Sequence, residues 1–204
     1  MRALSVSDLL NKKYDLMPFD GAWYDAFKQP ERAGVWFIWG NSGNGKTSFL
    51  LQLMKYLSRF GHVVFNSLEE SDSHTMQCGM EREGMSEAGG LITIVKESPE
   101  ELAIRLRKKK SAPVVIIDSY QYFGLTYRQY LEFKEVNRNR LIIFTSHASG
   151  RNPSSRSAVS VMFDATLKIW VEGYRAFSKG RYIGPEGFYT IWSEGAERYW
   201  TEVN

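Results

Sequence analysis

Eight residues from Gly40 to Thr47, GNSGNGKT, hold the densest chemistry in the chain. Gly40, Gly45, Lys46 and Thr47 fill every fixed position of the pattern G-x-x-x-x-G-K-[ST], in which glycines let the backbone wrap a polyphosphate and turn N–H groups toward its oxygens. In that pattern Lys46 reaches the β- and γ-phosphates and Thr47 offers its hydroxyl to Mg²⁺, while Asn41, Ser42, Gly43, Asn44 and Ser48 complete the cradle. A chance glycine-rich turn would lack the flanking elements. VWFIW before the loop is an uninterrupted apolar run, read as a strand buried on both faces. After the loop, Phe49, Leu50, Leu53, Met54 and Leu57 recur at helical spacing.

Three further polar residues end apolar strands, and an open α/β sheet collects its ligand along that edge. Asp118 follows VVII, where a carboxylate serves as a second Mg²⁺ partner beside Thr47 or simply ends a strand in a turn. Glu69 ends the run HVVFNSL, where it is placed to activate water as a general base, with Glu70 as the neighbouring alternative. His147 ends IIFTS, where an imidazole either senses a γ-phosphate through a hydrogen bond or plays a structural part.

The elements needed to hold these residues can be read along the chain. Helical segments are expected over about 46–60, closed by Gly61, and over 71–85. A third starts at Ser98, with Pro99 at its first position and Glu101 completing a capping box, and a fourth spans 126–138. The cations Arg105, Arg107, Lys108, Lys109 and Lys110 are expected to form a solvated helix end, with a nucleic-acid patch as the alternative. Strands at 35–39, 62–67, 91–95, 114–117 and 141–144 alternate with these helices, which requires a parallel sheet covered on both faces. Short segments at 166–171, 174–178, 188–192 and 199–203, separated by Gly or Pro, predict an antiparallel extension at one edge.

Composition narrows the class. At 204 residues one core is the default, organised as a lead-in segment over 1–33 and a core domain over 34–204. A net charge of +3 permits a nucleic-acid partner without demanding one. The single cysteine, Cys78, excludes an internal disulfide and a thiolate zinc cluster, and with no signal-peptide pattern or membrane-length apolar run the expected location is cytoplasmic.

The order GNSGNGKT, VVFNSLEES, VVIIDS, IIFTSH, FDATLKIW and SKGRYIGPEGFYTIW resembles the RecA-like ATPase superfamily, particularly its RadA and DnaB-type branches, over about residues 34–203. The resemblance implies an α/β fold with a mostly parallel central sheet, flanking helices and a C-terminal antiparallel extension, binding ATP and Mg²⁺. It implies Glu69 as the catalytic base and His147 as the residue coupling nucleotide state to DNA. Lys179 and Arg181, before Gly184, Pro185 and Gly187, look like the family's K-x-R-x-G-P-x-G segment, whose cations act on the γ-phosphate of a neighbouring subunit; Ile183 adds a residue to the family spacing. A homo-oligomeric ring or filament follows from that match. On a strand, residues two apart face the same way, so both cations are expected to act together.

Residues 149–158, SGRNPSSRSA, occupy the place of the family's second DNA-binding loop and are expected to be mobile, with Arg151 and Arg156 meeting single-stranded DNA or the segment serving only as a connection. The short length resembles phage or prophage recombination and annealing ATPases, with a minimal DnaB-like helicase motor and a KaiC-like nucleotide switch that leaves DNA alone as the rival expectations.

Overall fold

The protein is described by a computed structural model covering residues 3–203; residues 1, 2 and 204, which belong to the expected lead-in and core segments, lie outside the described residues. The lead-in carries α1 (Val6–Leu10) and α2 (Gly21–Phe27). The alternating body follows as β1 (Gly34–Gly40), α3 (Lys46–Leu57), β2 (Val63–Ser67), α4 (His74–Arg82), β3 (Ile92–Val95), α5 (Pro99–Leu106), β4 (Val114–Asp118), α6 (Tyr120–Phe123), α7 (Tyr127–Val136) and β5 (Leu141–Ser149). The last part is β6 (Asn152–Pro153), α8 (Arg156–Asp164), β7 (Leu167–Glu172), β8 (Arg175–Ser178), β9 (Phe188–Thr190) and α9 (Ser193–Val203).

The sheet runs β3-β2-β4-β5-β1-β7-β8-β9, with β6 paired to β5 alone. Every contact from β3 through β7 is parallel, and the antiparallel extension begins at β8. Successive residues of β1 serve opposite faces. Trp36 and Ile38 join Phe49, Leu50 and Leu53 of α3 in one core, while Val35, Phe37 and Trp39 join Tyr120, Tyr130, Phe144 and Val161 in the other. Each such buried side chain contributes about 1.5–3 kcal/mol relative to exposure, which explains the absence of polar alternation in VWFIW.

The lead-in packs into the first of these cores. Trp23 is stacked between Tyr56 (4.8 Å) and Tyr189 (4.1 Å), and Met17, Phe19 and Phe27 are buried with it. α2 also anchors the tail, because Gly184 N–H donates to Ala26 O (3.0 Å) and Glu186 N–H to Asp25 O (2.9 Å). Among the described residues no helix is long and apolar enough to cross a membrane.

Three expectations change. Residues 199–203 lie in α9 rather than a strand: Ala196, buried, and the half-buried Tyr199 and Trp200 recur at three- and four-residue spacing, a helical period in a segment too short to separate from a strand run. Residues 149–158 are not one open loop but divide into a tight hairpin, with Ala148 paired to Pro153, Ser149 to Asn152, and Ser154 N–H donating to His147 O at 3.0 Å, and the first turn of α8 from Arg156. Lys179 and Arg181 lie beyond the end of β8, so the same-side argument from strand pleating does not apply to them. Lys179 N–H still donates to Lys168 O (2.8 Å), but Gly180 then lies flat on the backbone of residues 166–168 and the chain turns toward α2.

Candidate functional site

Register brings the polar strand ends into one row. Gly40 pairs with His147, Ile117 with Phe144, and Ser67 with Asp118, so Asp118, Thr145 and His147 sit side by side along the carboxyl edge of the sheet. Leu68 N–H donates to Asp118 O (2.8 Å), and Ser71 N–H donates to Ser67 Oγ (2.9 Å), which folds Glu69 and Glu70 over the same edge.

The phosphate loop faces this row. A cleft of about 320 Å³ is lined by Ser42, Gly43, Gly45, Lys46, Thr47 and Ser48 of the loop and α3, by Glu69, Glu70, Asp118, Thr145 and His147 of the strand ends, and by Tyr174. Gly45 has φ 93°, a left-handed conformation that lets α3 start with its amides pointing into the cleft. At Gly40 the constraint is proximity instead, since a Cβ would lie 2.2 Å from the Val171 carbonyl oxygen of β7.

Not every loop residue faces the cleft. Asn44 is turned outward, accepting from Gly173 N–H through Oδ1 at 2.8 Å and donating through Nδ2 to Ser42 O at 3.1 Å. Asn41 reaches Gly150 O (3.4 Å), while its own carbonyl accepts from Lys46 Nζ (3.1 Å). A phosphate entering the cleft would take over that lysine.

The electrostatics suit a polyanion and a cation bound together. Burial pushes the Lys46 ammonium below its ordinary range, and the charges of Asp118 and Glu69 pull it back. Burial also pushes the Asp118 carboxyl up, partly offset by a hydrogen bond that Thr145 Oγ1 donates to Asp118 Oδ1, with Glu69 and Glu70 raising it further. A buried carboxylate with like charges nearby is relieved by a divalent ion. Mg²⁺ takes few protein ligands and completes its shell with phosphate oxygens and water, and Thr47 and Asp118, which line the same cleft, are the two oxygen donors that would hold it.

Glu69 Oε2 lies 3.2 Å from His147 Nε2, so the two strand-end residues form one pair. Gln121 holds His147 from behind, accepting from its backbone N–H through Oε1 (3.4 Å) and donating through Nε2 to Ser146 Oγ (2.7 Å) and Ser154 Oγ (2.8 Å). Thr145 and Gln121 carry no motif of their own; Thr145 is exposed as a partner only by the β4–β5 register. Tyr174 reaches the cleft from a distant hairpin, with no local sequence signal.

Lys179 and Arg181 do not line this cleft. Lys179 sits with its ammonium 5.5 Å from the Phe177 ring centre, beside a cavity of about 290 Å³ bordered by Trp39, Trp170, Trp200 and Arg151. Arg181 is exposed and its charge helps hold Asp164 ionised. Arg151 is at the tip of the β5–β6 hairpin, its carbonyl accepting from Trp39 Nε1 (3.0 Å), and Arg156 is exposed at the start of α8.

No protein-family model matches the sequence, and a search of curated proteins finds no match. Solved structures do resemble it. The KaiC-like protein PH0186 from the hyperthermophilic archaeon Pyrococcus horikoshii OT3 superposes with a TM-score of 0.61 at 20% identity, over 82% of this chain and 94% of that one. The flagellar accessory protein FlaH from Methanocaldococcus jannaschii gives 0.51 at 15% identity, over 76% and 81%. The likeness is one of fold, a mostly parallel sheet flanked by helices with antiparallel C-terminal strands.

Proposed function

We propose that this chain is a Mg²⁺-dependent ATPase whose active site is completed by a second copy of itself, and that it acts on single-stranded DNA. The observation that carries the ATPase reading is the convergence of Lys46, Thr47, Glu69, Asp118 and His147 from four segments on one cleft. That cleft shares Ser48 and Tyr174 with a second cavity of about 490 Å³, lined also by Gln52, Arg82, Glu83, Ile191 and Trp192. Phosphates seated on the loop amides would leave the nucleoside at Ser48, facing the Tyr174 and Trp192 rings, whose centres are 5.0 Å apart.

In this reading Lys46 and the loop amides hold the β- and γ-phosphates, and Thr47 and Asp118 hold Mg²⁺, which neutralises charge on the phosphate oxygens. Glu69 takes a proton from water as the water oxygen bonds to the γ-phosphorus and the bridging P–O bond breaks, releasing ADP and phosphate. His147 orients Glu69 and registers the loss of the γ-phosphate. Lys179 and Arg181, exposed and remote from their own cleft, serve the cleft of a neighbour.

The DNA part rests on Arg151 beside the indole-lined cavity, since a cation next to aromatic edges suits a phosphate backbone and its bases. Phage-type recombination or annealing is the process we assign, with a minimal helicase motor as its variant. The likeness to a KaiC-like protein favours a second reading, a nucleotide-switched assembly ATPase without a DNA substrate. Steady-state ATP hydrolysis with and without single-stranded DNA at low salt, with particle size followed in the same samples, separates them. Stimulation by DNA supports the first; hydrolysis and assembly indifferent to DNA support the second.

A further inference from the structure

The cavity that adjoins the phosphate cleft is lined by α3 and by the end of α4. Ser48 and Gln52 lie four residues apart on α3, on one face and roughly 6 Å apart along the helix axis, so a group extending past Ser48 meets Gln52 one turn later. Arg82 ends α4 and Glu83 follows it. The Glu83 backbone is pinned, its N–H donating to Gly79 O at 3.0 Å and its carbonyl accepting from Lys55 Nζ at 3.2 Å. Its side chain is only 13% exposed, although it lines the cavity.

The hydrogen bonds among these side chains leave a definite remainder. Gln52 Nε2 donates to Glu83 Oε2 at 2.9 Å and to Ile191 O at 3.2 Å, which uses both of its N–H groups and occupies one oxygen of the carboxylate. Gln52 Oε1 is enclosed without a partner, so the amide has no donor left for a ligand. Arg82 Nη2 donates to Ser48 Oγ at 3.0 Å, and Arg82 Nε reaches Glu83 Oε1 only at 3.4 Å. Glu83 Oε1 is therefore the carboxylate oxygen with room for a stronger donor, and Arg82, lining the same cavity, has no partner for Nη1 among the described residues.

We propose that Glu83, held by Gln52, makes this site selective for adenine through its exocyclic amino group. One open acceptor with a donor from the neighbouring residue suits adenine, whose amino group adjoins a ring nitrogen that accepts. Guanine sets a carbonyl oxygen beside two N–H groups that together call for both oxygens of a carboxylate, and Gln52 already holds Oε2. A purine without the amino group leaves Glu83 facing it unpartnered in a nearly enclosed place, the mismatch that a polar site rejects most strongly. Glu83 reads the base, and Gln52 is a positioning residue that acts through Oε2. The inference rests on the proposed seat of the nucleoside at Ser48 and specifies which base that seat accepts.

The test is calorimetry on the full chain with Mg²⁺ and, in turn, ATP, GTP, purine riboside 5′-triphosphate and inorganic tripolyphosphate. The wild type is expected to bind ATP about tenfold or more tightly than either of the other two nucleotides. Glu83→Ala should remove the preference for ATP over purine riboside triphosphate, and Glu83→Gln, a neutral acceptor of the same shape, should shrink it. Gln52→Leu should narrow the preference for ATP over GTP, because it releases Oε2 to meet guanine. Tripolyphosphate should bind all three variants as it binds the wild type, which shows that they are folded and that only the base end has changed. A wild type that binds ATP and purine riboside triphosphate alike, GTP bound as tightly as ATP, or full discrimination in a Glu83→Ala variant that still binds tripolyphosphate overturns the proposal. Selective binding of ATP without hydrolysis would leave it standing and instead defeat the ATPase reading.

Discussion

The side chains of Glu69, two residues past β2, and His147, near the end of β5, meet at 3.2 Å on one side of the cleft. The strands that carry them are separated by β4, so neither residue reaches the other through its own hairpin or turn. In the proposed reaction the base is thus oriented by the same group that would sense its product. Glu69→Gln keeps the shape and removes the base, and is expected to cut turnover about 10²–10⁴-fold with nucleotide binding retained. His147→Ala should lower turnover less and abolish any stimulation by a bound polymer. Retained turnover in Glu69→Gln, measured by phosphate release, would move the base to Glu70.

Asp118 is an unfavourable place for a charge until a cation arrives. Asp118→Asn is therefore expected to leave the free protein as stable or about 1 kcal/mol more stable, since it removes a buried carboxylate that also faces Glu69 and Glu70. The same variant should lose the rise in melting temperature that Mg²⁺ and ATP together give the wild type. A scan with nucleotide alone, with Mg²⁺ alone and with both separates the two effects.

The nucleoside end of the site makes its own prediction. Trp192 is 45% exposed beside the cavity that adjoins the phosphate cleft. Trp192→Ala should weaken ATP binding about tenfold, in keeping with a base–aromatic contact, and leave binding of inorganic tripolyphosphate unchanged. Calorimetry with both ligands reads the difference. Equal losses for the two would place the nucleoside elsewhere.

Lys179 and Arg181 are predicted to act on a neighbour's nucleotide. Arg181→Ala should lose about 10²–10³-fold in turnover alone and regain part of it when mixed with Lys46→Ala, whose subunits cannot bind phosphate but still supply the missing cation. Activity flat across all mixing ratios would count against action between subunits.

Acid stability has a visible source between α7 and α8. Burial would raise the Asp164 carboxyl, but Lys134 at 2.6 Å and the Tyr130 hydroxyl outweigh it and hold the group below its ordinary 3.8. A carboxyl depressed in the folded state stabilises it fully above the unfolded value, and that contribution is lost as pH falls through the folded value. Asp164→Asn should thus lower the melting temperature at neutral pH and converge with the wild type as the pH falls through the depressed folded-state value. Parallel melting curves at every pH would remove the Tyr130–Asp164–Lys134 cluster as the cause.

Legibility in the sequence followed the range of the interactions. The phosphate loop, the strand before it and the capping box at Ser98 are local patterns, and each is where its residues predict it. Asp118, Glu69 and His147 could be nominated because each ends an apolar run, but their meeting depends on the order of β2, β4 and β5, which no local signal carries. Misreading came where two periods overlap, as at Tyr199 and Trp200, or where composition stood in for pairing, as in the hairpin around Asn152 and Pro153. Tyr174 and Gln121 matter through contacts more than 20 residues away in sequence, across which single-chain patterning is blind.

The fit of Gly40 against Val171 gives the tail a hold on the phosphate loop. With no side chain between them, β1 ends in backbone contact with β7, and the turn that follows β7 grips Asn44 through the Gly173 and Tyr174 amides. The loop is thus clamped at its first residue and near its last by the hairpin that runs on into Lys179 and Arg181. A change at the β7–β8 turn therefore reaches the glycine-rich loop directly, through two hydrogen bonds to Asn44.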